Sequence, residues 1–239
     1  MTKPEITILI PTFNRRKFLP LIIRNIFIQD YPHEKIKVLF DDDGENKLFQ
    51  GDELEEIKKQ FHPIKFQYNS TNKWRNIGKK RNDMIKECKT NLFCFMDDDD
   101  IYFPTYLSHS YKVMKDNKAG CVGSDKMLFV MTDKDYKIYG MNCGNNINLI
   151  HEATIMATKK WFKGSCKFSG EVGEGKKLFQ GQRQKVAITD ISKIMICIQH
   201  DTNTIDKLQF ADEKTLLKEA KLTEETRNLI EVIKNYKDE

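Results

Sequence analysis

Residues 93–104, FCFMDDDDIYFP, decide the fold, because four consecutive aspartates follow an apolar run. The apolar run, residues 91–96, is typical of a short buried strand. Two unit charges about 4 Å apart repel by about 4 kcal/mol at an effective dielectric of 20. Four adjacent carboxylates at a strand end are therefore most stable beside a cation. The alternative is a solvated acidic turn, or capping of the following helix by Asp99 or Asp100.

The same alternation of strand and helix runs through the N-terminal half. Apolar runs at residues 6–11, 35–40 and 64–68 predict further strands, and apolar residues at helical spacing predict helices over residues 18–26, 74–89 and 105–116. The charged segment over residues 52–60 is a further candidate helix. This pattern predicts an α/β fold with a mixed, mostly parallel sheet flanked by helices. Ligands of such sheets bind beyond the carboxyl ends of the strands. PTFNRR (11–16), DDDGEN (41–46) and DDDD (97–100) all fall there.

After Gly120 the pattern changes. Residues 121–132, 136–141 and 188–199 predict short strands, and the Gly-, Asn- and Ser-rich segments between them predict long loops. Residues 212–239 are dense in Lys and Glu with an uneven apolar stripe, which predicts a surface helix packed on the domain. The alternative is a helix that docks on a membrane or a partner. Trp74 and Trp161 could stack on a sugar ring, but packing in the core is the favoured interpretation.

Composition excludes several classes of protein. The surplus of 40 Lys and Arg over 35 Asp and Glu, a net charge of +5, is too small to indicate nucleic-acid binding. The six cysteines form no C-x-x-C pair, so we expect reduced thiols and no zinc site. No segment approaches the about 18 apolar residues of a membrane span. The N-terminal residues lack the pattern of a signal peptide, and we expect a cytoplasmic protein.

The acidic run has the chemistry of a metal site. Mg²⁺ and Mn²⁺ prefer carboxylate oxygen and often share their coordination shell with substrate phosphates. Several carboxylates at a strand end can hold one such ion and leave positions for a diphosphate. The two other polar clusters at matching positions of the sheet favour this interpretation over a solvated turn.

Three motifs in order resemble the family 2 glycosyltransferases, which have the GT-A fold, a Rossmann-like fold of nucleotide-diphospho-sugar transferases. ILIPTFNR (8–15) resembles the opening strand and turn, and VLFDDDGEN (38–46) resembles the second strand and its Asp-Asp-Gly. KKRNDMIKECKTNLFCFMDDDDIYFPTYL (79–107) resembles the Arg-Asn helix and the Asp-x-Asp motif. The resemblance implies one domain over residues 1–239: a nucleotide-binding half to about residue 119, an acceptor-binding half over about 120–211, and a C-terminal helical segment.

The resemblance also implies roles for individual residues around the donor, Mn²⁺ or Mg²⁺ and a nucleotide sugar. Asp99 would bind the metal directly, and Asp97 and Asp98 would approach the ribose and a metal-bound water. Asp42 or Asp43 would accept a hydrogen bond from the base, which suits uracil and a UDP-sugar. The remaining donor-site candidates are Pro11, Thr12, Asn14, Arg15 and Arg81, and Asp97 is a further candidate metal ligand. His200 is a candidate on its position alone, because it follows a predicted strand and precedes a polar loop, where an imidazole could complete the metal shell or contact the diphosphate. The alternative is a histidine that is satisfied within the surface or the core.

The general base is predicted in SGEVGEGKKLF (169–179), the counterpart of an acidic stretch of the family. It offers Glu171 and Glu174, and the resemblance favours Glu174, because a predicted helical run over 176–182 follows it as one follows the base of the family. The alternative is a glutamate in an exposed loop. Gly175 stands where the family often has an acid. The stretch also matches G-x-x-x-x-G-K, but a phosphate-binding loop would need Ser or Thr at position 177 and a preceding strand.

We therefore expect metal-dependent transfer of a sugar, with inversion, from a nucleotide-diphosphate donor to a hydroxyl acceptor. The acceptor is left open among a glycan, a lipid-linked group and a protein. Two alternatives remain: a metal-dependent nucleotidyltransferase on a similar fold, and a non-catalytic nucleotide-sugar-binding module. The nucleotidyltransferase should carry a Gly-rich loop after the first strand, and PTFNRR has no glycine.

Overall fold

The computed structural model describes residues 2–142, 144, 146–165, 167–170, 173–180, 185–200 and 207–236. These residues form eleven strands and six α-helices, with short 3-10 helices between them. The strands are β1 Ile6–Thr12, β2 Ile36–Asp42, β3 Lys65–Ser70, β4 Leu92–Phe95, β5 Ile101–Tyr102, β6 Cys121–Gly123, β7 Lys126–Met131, β8 Lys137–Asn142, β9 Met156–Thr158, β10 Val186–Ile188 and β11 Met195–Gln199. The helices are α1 Leu19–Phe27, α2 Glu53–Gln60, α3 Ile77–Glu87, α4 Tyr106–Asp116, α5 Lys159–Lys163 and α6 Glu224–Lys234.

The strands form two sheets. Seven lie in the order β10-β6-β9-β4-β1-β2-β3, in which β9 runs antiparallel to both of its neighbours and the other pairs are parallel. Four form the order β5-β11-β7-β8. The prediction of a mixed, mostly parallel sheet flanked by helices is confirmed. Residues after Gly120 add β6, β9 and β10 to the same large sheet as the N-terminal strands.

The core explains why the apolar runs become strands. All seven residues of β1 and all four of β4 are buried, as expected for strands covered by helices on both faces. Helix α1 buries Leu21, Ile22 and Ile26 on one face. Cys88, Cys94, Cys121 and Cys197 are buried free thiols, in agreement with the prediction for these four.

Three local predictions need correction. The helix predicted over 74–89 begins only at Ile77, because the Asn76 side chain caps it by accepting from the Lys79 amide at 2.8 Å. Residues 174–180 form turns rather than the start of a helix. Of residues 212–236, only Glu224–Lys234 is an α-helix, because residues 215–217 hydrogen-bond instead to β8, as in the pairing of Leu217 N–H with the Ile138 carbonyl at 2.8 Å.

The two tryptophans also differ. Trp161 is buried, as predicted, but Trp74 lies in the segment before α3 with 63% of its surface exposed, so it is not a core residue. Among the described residues, no helix has the length and apolar character needed to cross a membrane.

Candidate functional site

The three polar clusters meet at one edge of the large sheet. Strands β1, β2 and β4 are parallel neighbours, with Thr12 opposite Asp42 and the Met96 amide bonded to the Leu9 carbonyl at 3.0 Å. Their carboxyl ends therefore lie side by side, and the expectation drawn from the sequence is confirmed. Pro11 and Thr12 are both buried at the end of β1.

The turns after β1 and β2 are tied to each other by Asn14. This residue adopts a left-handed backbone conformation (φ 55°), and its Oδ1 accepts a hydrogen bond from the Asn46 amide at 2.9 Å. A Cβ at Gly44 would lie 2.4 Å from the Asn14 nitrogen, so the close approach of the two turns requires glycine there. Asn14 thereby shapes the predicted nucleotide edge, and its predicted contact with the donor stays a prediction.

Asp42 and Asp43, the two candidates for contacting the nucleotide's base, are buried and hydrogen-bonded within the protein. Asp42 accepts from the amides of Gly44 and Leu48 and from the Tyr68 hydroxyl, at 3.0, 2.8 and 2.7 Å. Asp43 accepts from the Arg75 amide at 2.8 Å and from the Lys80 ammonium. Asp42 therefore organises the turn that follows β2. Which of the two contacts a base stays a prediction.

Each carboxylate of the acidic run has a partner within the protein, and Asp98 and Asp99 share Arg15. Asp97 accepts from Arg81 Nη2 at 3.0 and 3.2 Å. Asp98 lies 3.7 Å and Asp99 3.5 Å from the guanidinium of Arg15.

The last two acids face β11 and the residue after it. Asp99 Oδ2 lies 3.1 Å from Nε2 of His200, and Asp100 accepts from the Ile198 amide of β11 at 3.0 Å. The repulsion that the sequence poses is thus relieved by two arginines, one histidine and one backbone amide. Neither Asp99 nor Asp100 caps α4, because Thr105 is its N-terminal flanking residue.

Burial and neighbouring groups shift the pKa values of Asp98, Asp99 and Asp100 in different directions. Burial and the neighbouring Asp99 raise the pKa of Asp98 well above its ordinary value. Burial alone would also raise the pKa of Asp99, but the hydrogen bond with His200 and the charge of Arg15 outweigh it and lower that pKa. Burial raises the pKa of Asp100 to about 7. Asp99 is therefore the most readily ionised of the three, as a metal ligand must be.

Arg81 connects the acidic run to the predicted base. Its side chain is 4% exposed, and its Nε donates to Glu174 Oε1 at 3.3 Å while Nη2 holds Asp97. Burial raises the pKa of Glu174, and the Glu152 carboxylate adds to the rise while the Arg81 charge opposes it. A carboxylate with an elevated pKa is suited to accept a proton near neutral pH. Glu171 lies outside the described residues.

Helix α3 fixes the segment that carries Glu174. The Asn82 side chain donates to the Phe168 carbonyl at 2.9 Å and accepts from the Phe168 amide at 3.2 Å. The Ser169 amide in turn donates to the Glu174 carbonyl at 2.9 Å. A Cβ on Gly78 would lie 1.5 Å from the Ser169 carbonyl oxygen, so the helix and the segment are in direct backbone contact.

Sequence reasoning missed Glu152, which reaches the same place from the segment before β9. Its Oε1 accepts from the Gly175 amide at 3.0 Å, and a Cβ on Gly175 would lie 2.4 Å from that oxygen. The resemblance to the family implies an acid at position 175, and this chain has a glycine there with the Glu152 carboxylate against it. Burial lowers the pKa of the adjacent His151 to about 4, so its imidazole is neutral at pH 7. No local motif marks either residue.

The oxygen and nitrogen donors around Asp99 fit a hard divalent cation whose coordination shell is completed by a substrate. Within the described parts of the chain no group of three or more His, Cys, Asp or Glu side chains is arranged to hold a metal. Asp99 and His200 nevertheless converge, and the positive guanidinium of Arg15 lies beside the same carboxylate. One carboxylate plus substrate phosphates is a usual way to hold Mg²⁺. Asp97 is turned towards Arg81, so its predicted role as a ligand stays a prediction.

Comparison with known proteins agrees with this geometry. The family model described as glycosyl transferase family 2 matches residues 7–171, more than half of the chain. A comparison with curated protein sequences gave no significant match.

Solved structures share the fold at low sequence identity. S. aureus TarS 1–349 in complex with UDP-GlcNAc superposes with a TM-score of 0.61 at 12% identity, over 83% of this chain and 60% of that one. A longer S. aureus TarS structure gives 0.62 at 13%, over 82% and 37%. The mannosyltransferase PcManGT from Pyrobaculum calidifontis, in complex with GDP-Man and Mn²⁺, gives 0.56 at 16%, over 83% and 57%. This chain thus spans less than two thirds of each. From the family match and the shared architecture, the chain belongs to glycosyl transferase family 2 and has the GT-A fold.

Proposed function

We propose that the protein is a metal-dependent, inverting glycosyltransferase that moves a sugar from a nucleotide-diphosphate donor to a hydroxyl acceptor. One observation carries the proposal: the acidic run joins a candidate cation site at Asp99 and His200 to a candidate base at Glu174, through the salt bridges of Asp97 and Arg81. The groups that would bind the donor phosphates and the group that would remove the proton are thus held at a fixed distance by the same salt bridges. A UDP-sugar is the donor class we favour, as UDP-GlcNAc is bound in a TarS structure.

The residues divide the work of the reaction. Glu174 removes the proton from the acceptor hydroxyl as that oxygen attacks the anomeric carbon, and Arg81 holds the carboxylate in place. Asp99 and His200 would hold Mn²⁺ or Mg²⁺, which when bound neutralises the charge of the departing diphosphate. Arg15, within 4 Å of two of the acids, is close enough to contribute positive charge to the same phosphates. Residues 1–119 would bind the nucleotide and residues 120–211 the acceptor.

The metal site is tested by Asp99→Ala with Mn²⁺ and a panel of UDP- and GDP-sugars. We expect release of nucleoside diphosphate by the wild type and a loss of at least about 10²-fold in the variant. Asp116→Ala, on the exposed side of α4, is the matched control and should retain full activity. Unchanged activity of Asp99→Ala would refute the mechanism, and release of pyrophosphate would indicate a nucleotidyltransferase instead.

The base is tested by comparing Glu174→Gln with Glu171→Gln. We expect the first to lose about 10²–10⁴-fold in the transfer rate and the second to stay near the wild type. Donor binding, measured by calorimetry with UDP, GDP and CDP in Mn²⁺, should be the same in both variants. The reverse order of the two rates would assign the base to Glu171. The configuration of the new glycosidic linkage in the product, measured by NMR, tests whether the transfer proceeds with inversion. The cytoplasmic location of the protein stays a prediction.

A further inference from the structure

The carboxylate of Glu152 occupies the place that a side chain at position 175 would take. A Cβ on Gly175 would lie 2.4 Å from Oε1, 2.9 Å from Cγ and 3.0 Å from Cδ of Glu152, and these are its three nearest neighbours. The backbone of Gly175 does not itself require glycine. Among the described glycines, the left-handed conformation is found at Gly51, Gly144 and Gly173. The Glu152 side chain is therefore what excludes a larger residue from position 175.

Glu152 also holds the peptide unit that follows Glu174. Its Oε1 accepts from the Gly175 amide at 3.0 Å, and the carbonyl of the same peptide unit accepts from the Ser169 amide at 2.9 Å. Both polar groups of this peptide unit are thus hydrogen-bonded. The Glu174 side chain leaves the backbone next to it, so the two hydrogen bonds help to fix the direction of the Glu174 carboxylate.

Four titratable or charged groups face the Glu174 carboxylate, and they are Arg81, Asp97, His151 and Glu152. Burial raises the pKa of Glu174, the charge of Arg81 lowers it, and the charges of Glu152 and Asp97 raise it, with Glu152 the larger of these two. His151 is neutral at pH 7, because burial lowers its pKa to about 4. Glu152 therefore offsets the positive charge of Arg81 beside the proposed base.

We propose that Glu152 is a positioning residue for the transfer reaction, which brings to the base, from the segment before β9, a carboxylate that position 175 does not carry. Glu152 acts through Glu174, because it holds the turn after that residue and places a negative charge beside it. The proposal rests on the proposed function and adds to it a residue from a part of the chain distant in sequence.

Glu152→Gln tests the charge, since glutamine keeps an oxygen for the Gly175 amide. We expect kcat for transfer to fall about tenfold, with KM for the nucleotide sugar unchanged. The acid limb of the pH–rate profile should move to lower pH, because the pKa of Glu174 falls when the neighbouring negative charge is removed. Glu56→Gln, exposed on α2, is the matched control and should keep the rate and profile of the wild type.

An exchange of the carboxylate between the two positions separates its charge from the filling of space. Glu152→Ala should lose about 10²-fold in the transfer rate, and it removes all three atoms that crowd position 175. In that background we expect Gly175→Asp to recover about tenfold or more of the loss, and we expect the equally large but neutral Gly175→Asn to recover none of it. In the wild-type background Gly175→Asp should instead lower the rate, because its Cβ meets Glu152.

Calorimetric binding of UDP with Mn²⁺ shows that each variant is folded, and the loss of transfer in Glu174→Gln shows that the proposed base acts. If that loss is found but Glu152→Gln has the rate and pH profile of the wild type, the role of Glu152 is overturned while the proposed function stands. The same conclusion follows if Gly175→Asp recovers no more than Gly175→Asn. If Glu174→Gln transfers sugar as the wild type does, the proposed base itself fails, whatever the Glu152 variants do.

Discussion

Replacing Gly78 by alanine tests whether the contact between α3 and the base-bearing segment controls catalysis. Helix propensity alone predicts that Gly78→Ala stabilises the protein by about 1 kcal/mol. The structure predicts the opposite, because the new Cβ would lie 1.5 Å from the Ser169 carbonyl oxygen and 2.7 Å from its carbon. The clashing atoms are backbone, so no side-chain rotation relieves the contact.

The size of the effect follows from the displacement. Ordinary contact begins at 3.4 Å, so the Ser169 carbonyl must move by about 1.9 Å along the line of the clash. Crowding of this kind costs about 1–3 kcal/mol, which the gain in propensity partly offsets. Catalysis is more sensitive, since a displacement of about 1 Å can cost about 10²-fold in rate. The Ser169 amide is bonded to the Glu174 carbonyl, so the shift passes directly to Glu174, the proposed base.

We therefore expect Gly78→Ala to lose at most about 2 kcal/mol in the free energy of unfolding and about 10²-fold in the transfer rate. Urea denaturation measures the first, and initial rates of transfer measure the second. Gly164→Ala is the matched control, because its Cβ would meet its nearest neighbour at 3.6 Å, an ordinary contact. A Gly78→Ala protein as active as the Gly164→Ala control would refute the proposed link between this helix and the base.

Three further predictions concern buried groups. Arg81→Gln leaves the Glu174 carboxylate without its cation, and we expect urea denaturation to show a loss of about 3–5 kcal/mol; an unchanged midpoint would argue against the network. His151 has its pKa lowered from 6.5 to about 4, so the unfolded chain binds more protons between those values and the wild type loses stability as the pH falls. His151→Gln should lack about 1–3 kcal/mol of that loss when unfolding is compared at about pH 7.5 and about pH 4.5, and parallel curves for the two proteins would contradict this. Trp161→Ala should cost about 3–5 kcal/mol and Trp74→Ala less than about 0.5 kcal/mol in thermal unfolding, and similar losses would show that Trp74 is packed.

Much of the fold could be predicted because its signals are local. β1, β2 and β4 are short apolar runs, and the polar clusters that follow them mark the carboxyl edge of the sheet. By contrast, β9 enters antiparallel between β4 and β6, and only three residues form it. Such a short strand has no periodicity of its own, and long-range pairing decides its place.

The candidate site divides in the same way. Motifs along the chain single out the acidic run and the candidate base Glu174, whereas Glu152 reaches the Gly175 amide from a segment distant in sequence. Gly78 had no signal either, since a glycine in a helix usually marks only a weak position. Its role depends on a backbone contact with Ser169, which no pattern along the chain encodes.

The acidic run is also the segment that connects the large sheet to the small one. Strand β4 ends at Phe95 in the large sheet, β5 begins at Ile101 in the small one, and the Asp100 side chain binds the backbone of β11. A hinge motion of one sheet against the other would pull these carboxylates out of alignment. We therefore expect the two sheets to keep the same relative position when substrates bind and leave, and we expect any opening or closing over the substrates to occur in the peripheral segments.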